Sequence, residues 1–238
     1  KIQKKKLKNY NINWLNNLNQ LSNIPSIFVA NEFFDALPIK QFVKKKNNWY
    51  EKNILFSKDN KPSFFDKLIN IKKYEKKIGF KLSSGQQFIE YSPLSIKYLK
   101  FISNLIKNKG GGLLVIDYGY TDKKMKNTLK SISKHKFSNI LESFAKSDIS
   151  YDINFSFLET ILKKFGLRVN KITNQKNFLV EMGIMERAEI ISKNLLFSQK
   201  ANIFFRLKKL IDDNQMGKIF KVMFASNKNI IFKTGFKS

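Results

Sequence analysis

The chain has 238 residues, a formal net charge of +27, one histidine and no cysteine. This composition excludes disulfide bonds, thiolate metal sites and a cysteine nucleophile, and it argues against a zinc site or a serine–histidine triad. No apolar run is long enough to cross a bilayer as a helix. His135, in the lysine-rich stretch 133–136, is interpreted as a solvated loop residue.

The positive charge comes almost entirely from lysine. Only three of the 45 basic residues are arginine, and asparagine, isoleucine and phenylalanine are abundant. Proteins that read phosphates and bases favour the bidentate fork of arginine. The composition therefore favours drift in an AT-rich genome as the source of the charge, over nucleic-acid binding or an acidic partner.

The amino-terminal segment predicts short elements that lead to one buried strand. Residues 1–9 resemble the end of a helix, 11–15 alternate like a short strand, and 15–21 fit one or two helical turns. The apolar run 25–30 has the length and pattern of a strand in the middle of a parallel sheet. Ligands of such sheets bind where the strands end.

An acidic turn follows this strand. We expect a short helix that is capped by Asn31 and ends at Pro38, with Glu32 and Asp35 on one face. Beyond it, an insertion is expected at about 40–90. Its predicted parts are a β-hairpin of 41–43 and 49–51 with a basic tip, an irregular stretch at 57–75 and a short strand within 80–88.

A second helix and buried strand come next. Ser92 and Pro93 form a good helix start, and the glycines at 110–112 end the helix. The strand 113–120 contains the next carboxylate, Asp117. Because the glycines precede the strand, a phosphate-cradling loop is rejected.

The rest of the chain alternates helices and strands. The predicted elements are a loop at 121–136, a helix that Asn154 caps and Gly166 ends, a strand at 167–173, helices at 175–195 and 199–210, and a strand at 218–225. The whole order predicts an α/β fold.

Five carboxylates lie near predicted strand ends or helix entrances: Glu32, Asp35, Asp117, Asp148 and Asp152. Such a group could bind a cation such as a guanidinium, or a divalent metal through oxygen ligands. The spacing does not choose between the two.

Two segments carry a specific sequence signature: 30–38 (Ala-Asn-Glu-Phe-Phe-Asp-Ala-Leu-Pro) and 111–119 (Gly-Gly-Leu-Leu-Val-Ile-Asp-Tyr-Gly). Both resemble the signatures of the MidA family of S-adenosylmethionine-dependent methyltransferases. Further similar positions are Gln41, Phe42, Trp49, Glu51, Glu90, Pro93, Asp148, Ile149, Ser150, Asp152, Phe155, Gln175, Phe178, Leu179, Gly183, Ile184, Arg187, Met216, Gly217, Phe220, Lys221 and Val222. Asn154 and Asn174 depart from the family, which usually has aspartate and threonine there.

The resemblance implies a partial class I methyltransferase (Rossmann-like) sheet with β-hairpin and helical insertions. The cofactor would be S-adenosylmethionine. No glycine-rich turn joins a strand to a helix in residues 1–238. The chain is therefore expected to be the carboxyl-terminal part of one methyltransferase domain, to lack the first strands and the main cofactor-binding loop, and to be inactive or weak by itself. The strand at 25–30 would then have an exposed apolar edge, a substitute segment or a companion chain beside it.

The resemblance also implies roles for individual residues. Glu32, Asp35 and Asp117 are the expected catalytic residues, and Asn31, Glu32 and Tyr118 the expected cofactor contacts, with no metal. The implied substrate is a protein arginine, with a respiratory complex I subunit as partner, in the mitochondrial matrix of a eukaryote or the cytoplasm of a bacterium. A non-catalytic protein-interaction module and a basic nucleic-acid-binding protein are the alternative functions.

Overall fold

A computed structural model of the chain describes residues 2–21, 24–133, 136–141 and 147–237. His135, predicted to be a solvated loop residue, lies outside these residues. The helices are α1 (Ile2–Lys6), α2 (Ile71–Ile78), α3 (Pro93–Lys109), α4 (Phe155–Lys164), α5 (Gln175–Glu181), α6 (Ile184–Ser192), α7 (Phe197–Ile211) and α8 (Met216–Ile219). None of the described helices is long and apolar enough to span a membrane.

The strands form three sheets in the described part of the chain. They are β1 (Ser26–Asn31), β2 (Lys40–Lys45), β3 (Asn48–Phe56), β4 (Pro62–Ile69), β5 (Phe88–Tyr91), β6 (Gly111–Tyr120), β7 (Lys130–Ser133), β8 (Lys136–Ser138), β9 (Asp148–Ser150), β10 (Ile153–Asn154), β11 (Leu167–Val169), β12 (Thr173–Asn174) and β13 (Phe220–Asn227).

The central sheet has the strand order β1–β6–β13–β11. β1 and β6 are parallel, whereas β13 is antiparallel to β6, and the short β10 and β12 pair with β6 and β13. Helices α3 and α4 cover one face of this sheet. A mixed sheet with parallel strands and packed helices confirms the predicted α/β class.

The core between α3 and the sheet explains why these elements form. Leu99 and Ile106 of α3 are fully buried, as is Val115 of β6. Each such side chain contributes about 1.5–3 kcal/mol relative to an exposed one. The Ser92 side chain accepts the backbone N–H of Ser95 at 3.2 Å, which confirms the predicted cap of α3.

The glycines at the start of β6 allow a close approach of two strands. Gly111 has φ +103°, and a Cβ built on it would lie 1.9 Å from the Ser26 carbonyl oxygen. Any other residue would push β6 away from the start of β1. These glycines are therefore a packing feature of the parallel pair.

A second sheet, of order β4–β3–β2–β5, lies between Lys40 and Tyr91, in the segment where an insertion is predicted. The hairpin of β2 and β3 confirms the prediction, but the irregular stretch expected at 57–75 is wrong. Its residues form β4, paired with β3 over its whole length, and then α2. Apolar and polar residues alternate only weakly along β4, and pairing with the long strand β3 compensates for this.

Other predictions differ from the structure in detail. Residues 11–15 form no strand. Instead of one loop at 121–136, β7 pairs with β8 and β9. The single helix predicted at 175–195 is two helices, because Gly183 adopts a left-handed φ of 79° between them.

The outer edge of β1 has no strand partner among the described residues. Ile27 and Val29, on one face of this strand, are exposed. An exposed apolar edge was one of the three expected outcomes for this strand. Such an edge is open to pairing with a further strand.

Candidate functional site

The candidate site lies at the carboxyl ends of β1 and β6. In the parallel register Asn31 pairs with Ile116, so Glu32, the first residue after β1, lies level with Asp117, which is still within β6 and pairs with Lys221 of β13. The backbone N–H of Glu32 donates to the Ile116 carbonyl oxygen at 3.0 Å and extends the pairing by one residue. The sheet itself thus brings together carboxylates that are far apart in the chain.

Asp117 holds the turn that follows β1. Its side chain is completely buried. Its Oδ2 accepts the backbone N–H groups of Phe34 and Asp35 at 3.1 and 3.3 Å, and its Oδ1 accepts that of Tyr118 at 2.9 Å. The predicted helix after Asn31 is wrong, because residues 32–37 form an irregular turn around this carboxylate.

Glu32 has an unusual backbone conformation. Its φ of 46° lies in the left-handed region, which costs a non-glycine residue free energy. The bonds to Ile116 and Asp117 on either side hold it there. The Asn31 amide donates to its Oε1 at 3.4 Å, and both side chains are exposed at the end of β1. Backbone strain of this kind is common at binding and catalytic sites.

Asp35 is buried behind Glu32, and its Oδ1 atom has no hydrogen-bond partner within the part of the chain that the structure describes. Burial, and then the Glu32 carboxylate, raise the pKa of Asp35. Burial, and then the Asp35 carboxylate, raise the pKa of Asp117 to about 7. Both groups would gain from a cation placed beside them.

Tyr118, Lys130 and Asp152 complete the surroundings. Lys130 forms an ion pair with Asp152, and its Nζ lies 5.3 Å from the centre of the Tyr118 ring. Burial, followed by Glu32, raises the pKa of the Tyr118 hydroxyl. Sequence reasoning missed Lys130, since nothing in the pattern of 121–136 separates it from its many lysine neighbours.

A buried polar network positions Asp152. The carboxylate of Glu90 accepts from the Gln41 amide at 2.6 Å and from the Thr128 backbone N–H at 3.1 Å. The Thr128 hydroxyl bonds to Glu90 and accepts the Asp152 backbone N–H at 2.8 Å. Glu90 was noted only for its family resemblance. A carboxylate inside the apolar strand Phe-Ile-Glu-Tyr is the signal that could have identified it.

Not every predicted carboxylate joins the site. Asp148 is exposed on β9 and pairs with Ile132. Asp117 and Asp35 interact with each other, as do Asp35 and Glu32. The described residues include no group of three or more histidine, cysteine or acidic side chains arranged to hold a metal ion.

Asn31 and Glu32 present amide and carboxylate atoms beside the open edge of β1, where a polar ligand can reach them. An adjacent hollow of about 390 Å³ is lined mainly by apolar side chains, among them Phe28, Phe33 and Tyr98. An apolar lining with a few polar groups beside it is typical of small-molecule binding sites.

Comparison with known proteins identifies the family. A family model described as "Putative S-adenosyl-L-methionine-dependent methyltransferase" matches residues 1–173. Mitochondrial protein arginine methyltransferase NDUFAF7 of Danio rerio is 25% identical over 216 residues, covering 91% of this chain and 51% of that protein. The human protein of the same name is 26% identical over 213 residues, covering 88% and 47%. This chain therefore spans about half the length of these curated relatives.

A solved structure supports the fold. The crystal structure of a superfamily member from Burkholderia thailandensis, bound to S-adenosyl-homocysteine, aligns with a TM-score of 0.74 and 20% identity. The alignment covers 92% of this chain and 58% of that one. At this identity the likeness establishes the architecture alone.

Proposed function

Since the chain belongs to the S-adenosyl-L-methionine-dependent methyltransferase family whose model matches residues 1–173, we propose that the turn after β1 and the carboxyl-terminal part of β6 form the part of the site that binds the methyl acceptor. In this proposal the chain is part of one methyltransferase domain, with the sheet at 40–90 inserted into it. Asn31, Glu32 and Tyr118 are its contacts to the cofactor.

The substrate we propose is an arginine side chain of a protein. The observation that carries this proposal is the buried Oδ1 of Asp35, which no described residue hydrogen-bonds, beside the Glu32 carboxylate. A guanidinium donates several N–H groups in a fixed plane, so two carboxylates can bind and orient it together. The names of the curated relatives support the same substrate class.

The chain's own residues would act by orientation and proton transfer. When bound, S-adenosyl-L-methionine supplies an electrophilic methyl group. Glu32 and Asp35 hold the guanidinium so that one nitrogen faces the open edge of β1, and Asp117 fixes the turn that carries both. The nitrogen must lose a proton, and Asp35, whose pKa is raised by burial, is a better acceptor than an exposed carboxylate.

The family resemblance further leads us to propose a respiratory complex I subunit as the protein that is methylated. The compartment would then be the mitochondrial matrix in a eukaryote and the cytoplasm in a bacterium. The curated relatives carry the word mitochondrial in their names, which supports the first of these.

Binding of N-acetyl-arginine amide, followed by NMR, tests the guanidinium site without the cofactor. We expect Glu32→Gln and Asp35→Asn each to weaken binding about tenfold, because a charge-assisted bond is worth about 1.5–3 kcal/mol. Asp59→Asn, an exposed acid in the turn between β3 and β4, is the matched control. N-acetyl-lysine amide binding as tightly as the arginine compound would contradict the proposal.

A further inference from the structure

Helices α6 and α7 expose a cluster of apolar side chains around the turn that joins them. Ile190, Leu196 and Phe197 are 70%, 73% and 87% exposed. From 189 to 202 every residue except Ser192 is exposed. We call Ile190, Ile191, Leu195, Leu196 and Phe197 the α6–α7 tip. Its side chains contribute little to the core, so their apolar character needs another explanation.

Basic side chains predominate around the tip. Residues 190–211 contain five basic side chains and no acidic one, while Glu189 precedes them and Asp212 follows. Lys193, Lys200 and Glu189 line the same surface hollow as Ile190, and Arg206 lines a second hollow together with Leu195. Both hollows beside the apolar tip thus contain basic side chains, which outnumber the one carboxylate there. This arrangement is complementary to a surface that is apolar at depth and negative at its rim.

We propose that the α6–α7 tip docks this protein peripherally on an anionic lipid bilayer. Leu196 and Phe197 would enter the boundary between headgroups and acyl chains, while Lys193, Lys200 and Arg206 would contact lipid phosphates. Interfacial attachment combines buried apolar area with attraction between basic side chains and anionic lipids. It needs no membrane-spanning helix, in agreement with the described helices.

Other occupants fit the tip less well. A second copy of the chain would bring two basic segments together, and the repulsion would oppose pairing. A nucleic-acid strand would contact the lysines but would leave Ile190 and Leu196 without apolar partners. A protein partner would need a preformed surface that matches these apolar side chains and carries acids beside them, whereas an anionic bilayer accepts exposed apolar side chains without a preformed site.

Co-sedimentation with vesicles tests the proposal. We expect the chain to sediment with vesicles of phosphatidylcholine and phosphatidylserine, to bind less as salt rises, and to bind phosphatidylcholine alone poorly. Leu196→Ser combined with Phe197→Ser should weaken binding roughly tenfold or more, because two apolar side chains lose their burial. The matched control is Phe137→Ser, since Phe137 is 82% exposed on β8.

A second set of variants, which removes charge, distinguishes docking by the tip from general attraction of the basic chain to anionic lipid. Lys193→Gln with Lys200→Gln should weaken binding to the mixed vesicles roughly tenfold. Lys72→Gln with Lys76→Gln on the exposed face of α2 removes the same charge elsewhere and should change it less. Circular dichroism checks that each variant is folded. The proposal fails if neither vesicle binds the chain, if the two lysine pairs have equal effects, or if the Leu196 and Phe197 variant binds normally.

Discussion

The buried carboxylate of Asp117 accepts the backbone N–H of Asp35 at 3.3 Å, across 82 positions of the chain. This bond ties β6 to the turn after β1, and the Phe34 N–H makes a second bond to the same oxygen. Asp117 therefore sets the position of Asp35 and of the strained Glu32. In the proposed site it acts on the substrate through these neighbours.

Replacement of Asp117 by alanine should be strongly destabilising. The change would leave three backbone N–H groups, those of the buried Phe34 and Asp35 and of the half-buried Tyr118, without this acceptor. We expect the free energy of unfolding to fall by about 3–5 kcal/mol, as measured by urea denaturation. Asp59→Ala, an exposed control, should change it by less than about 0.5 kcal/mol. Equal effects of the two variants would contradict the role of Asp117.

The same residue predicts how stability changes with pH. In the folded chain the pKa of Asp117 is raised from 3.8 to about 7. Below pH 3.8 the Asp117 carboxyl is protonated in both the folded and the unfolded chain. Between the two pKa values only the folded chain keeps this proton. The free energy of unfolding should therefore decrease as pH rises through this window and level off above it, by at most about 4 kcal/mol.

Asp117→Asn separates this contribution from other titrations. The variant cannot titrate, so its free energy of unfolding should decline less steeply between the two pKa values than that of the parent. Asp35 and Glu90, whose pKa values are also raised by burial, will leave a smaller slope of the same sign. A variant with the parent's slope would show that Asp117 has an ordinary pKa.

The bond between Glu90 and Thr128 should be measurable as a coupling energy. Glu90→Ala and Thr128→Val each remove one partner of a buried bond that connects β5 to the segment before β7. In a double-mutant cycle we expect a coupling of about 0.5–3 kcal/mol. Additive effects of the two changes would mean that the network does not hold Thr128.

The Glu90 and Thr128 variants should also change a measurable property of the candidate site. Thr128 also accepts the Asp152 N–H, so hydrogen exchange at Asp152 should accelerate in either single variant. Glu75→Ala is a useful comparison, because Glu75 accepts the backbone N–H groups of Leu82 and Ser83 in another part of the fold. It should destabilise the chain without affecting exchange at Asp152.

Local sequence signals predicted the parts of the fold that local forces determine. The caps at Ser92 and Asn154 both bond to backbone N–H groups three residues later, as their positions indicated. The apolar runs that became β1 and β6 were equally clear. The turn at 32–37 was not, because its backbone N–H groups bond to a carboxylate more than 80 positions away. No capping rule applied to nearby residues can include that partner.

The candidate site, like the fold, has residues that local sequence signals predict and others that depend on distant contacts. Glu32, Asp35 and Asp117 could be proposed because carboxylates at the ends of parallel strands meet at one edge of the sheet. Lys130 and Thr128 could not, since their places depend on how 121–133 returns across β5. Asp148 was included for its position before a helix, but the pairing of β9 with β7 places it on the surface.

Two glycines test how closely β1 and β6 must approach. Gly111 and Gly85 both have a positive φ, of 103° and 70°, but only Gly111 has a neighbour that an added Cβ would strike. Gly85→Ala should therefore cost about 1 kcal/mol of unfolding free energy, the price of the backbone conformation alone. Gly111→Ala must also displace the Ser26 backbone, so it should cost several times more and separate the strands that carry Glu32 and Asp117. If the two variants are equally stable in urea denaturation, the glycine is not required for the parallel pair, and the geometry of the site does not depend on this contact.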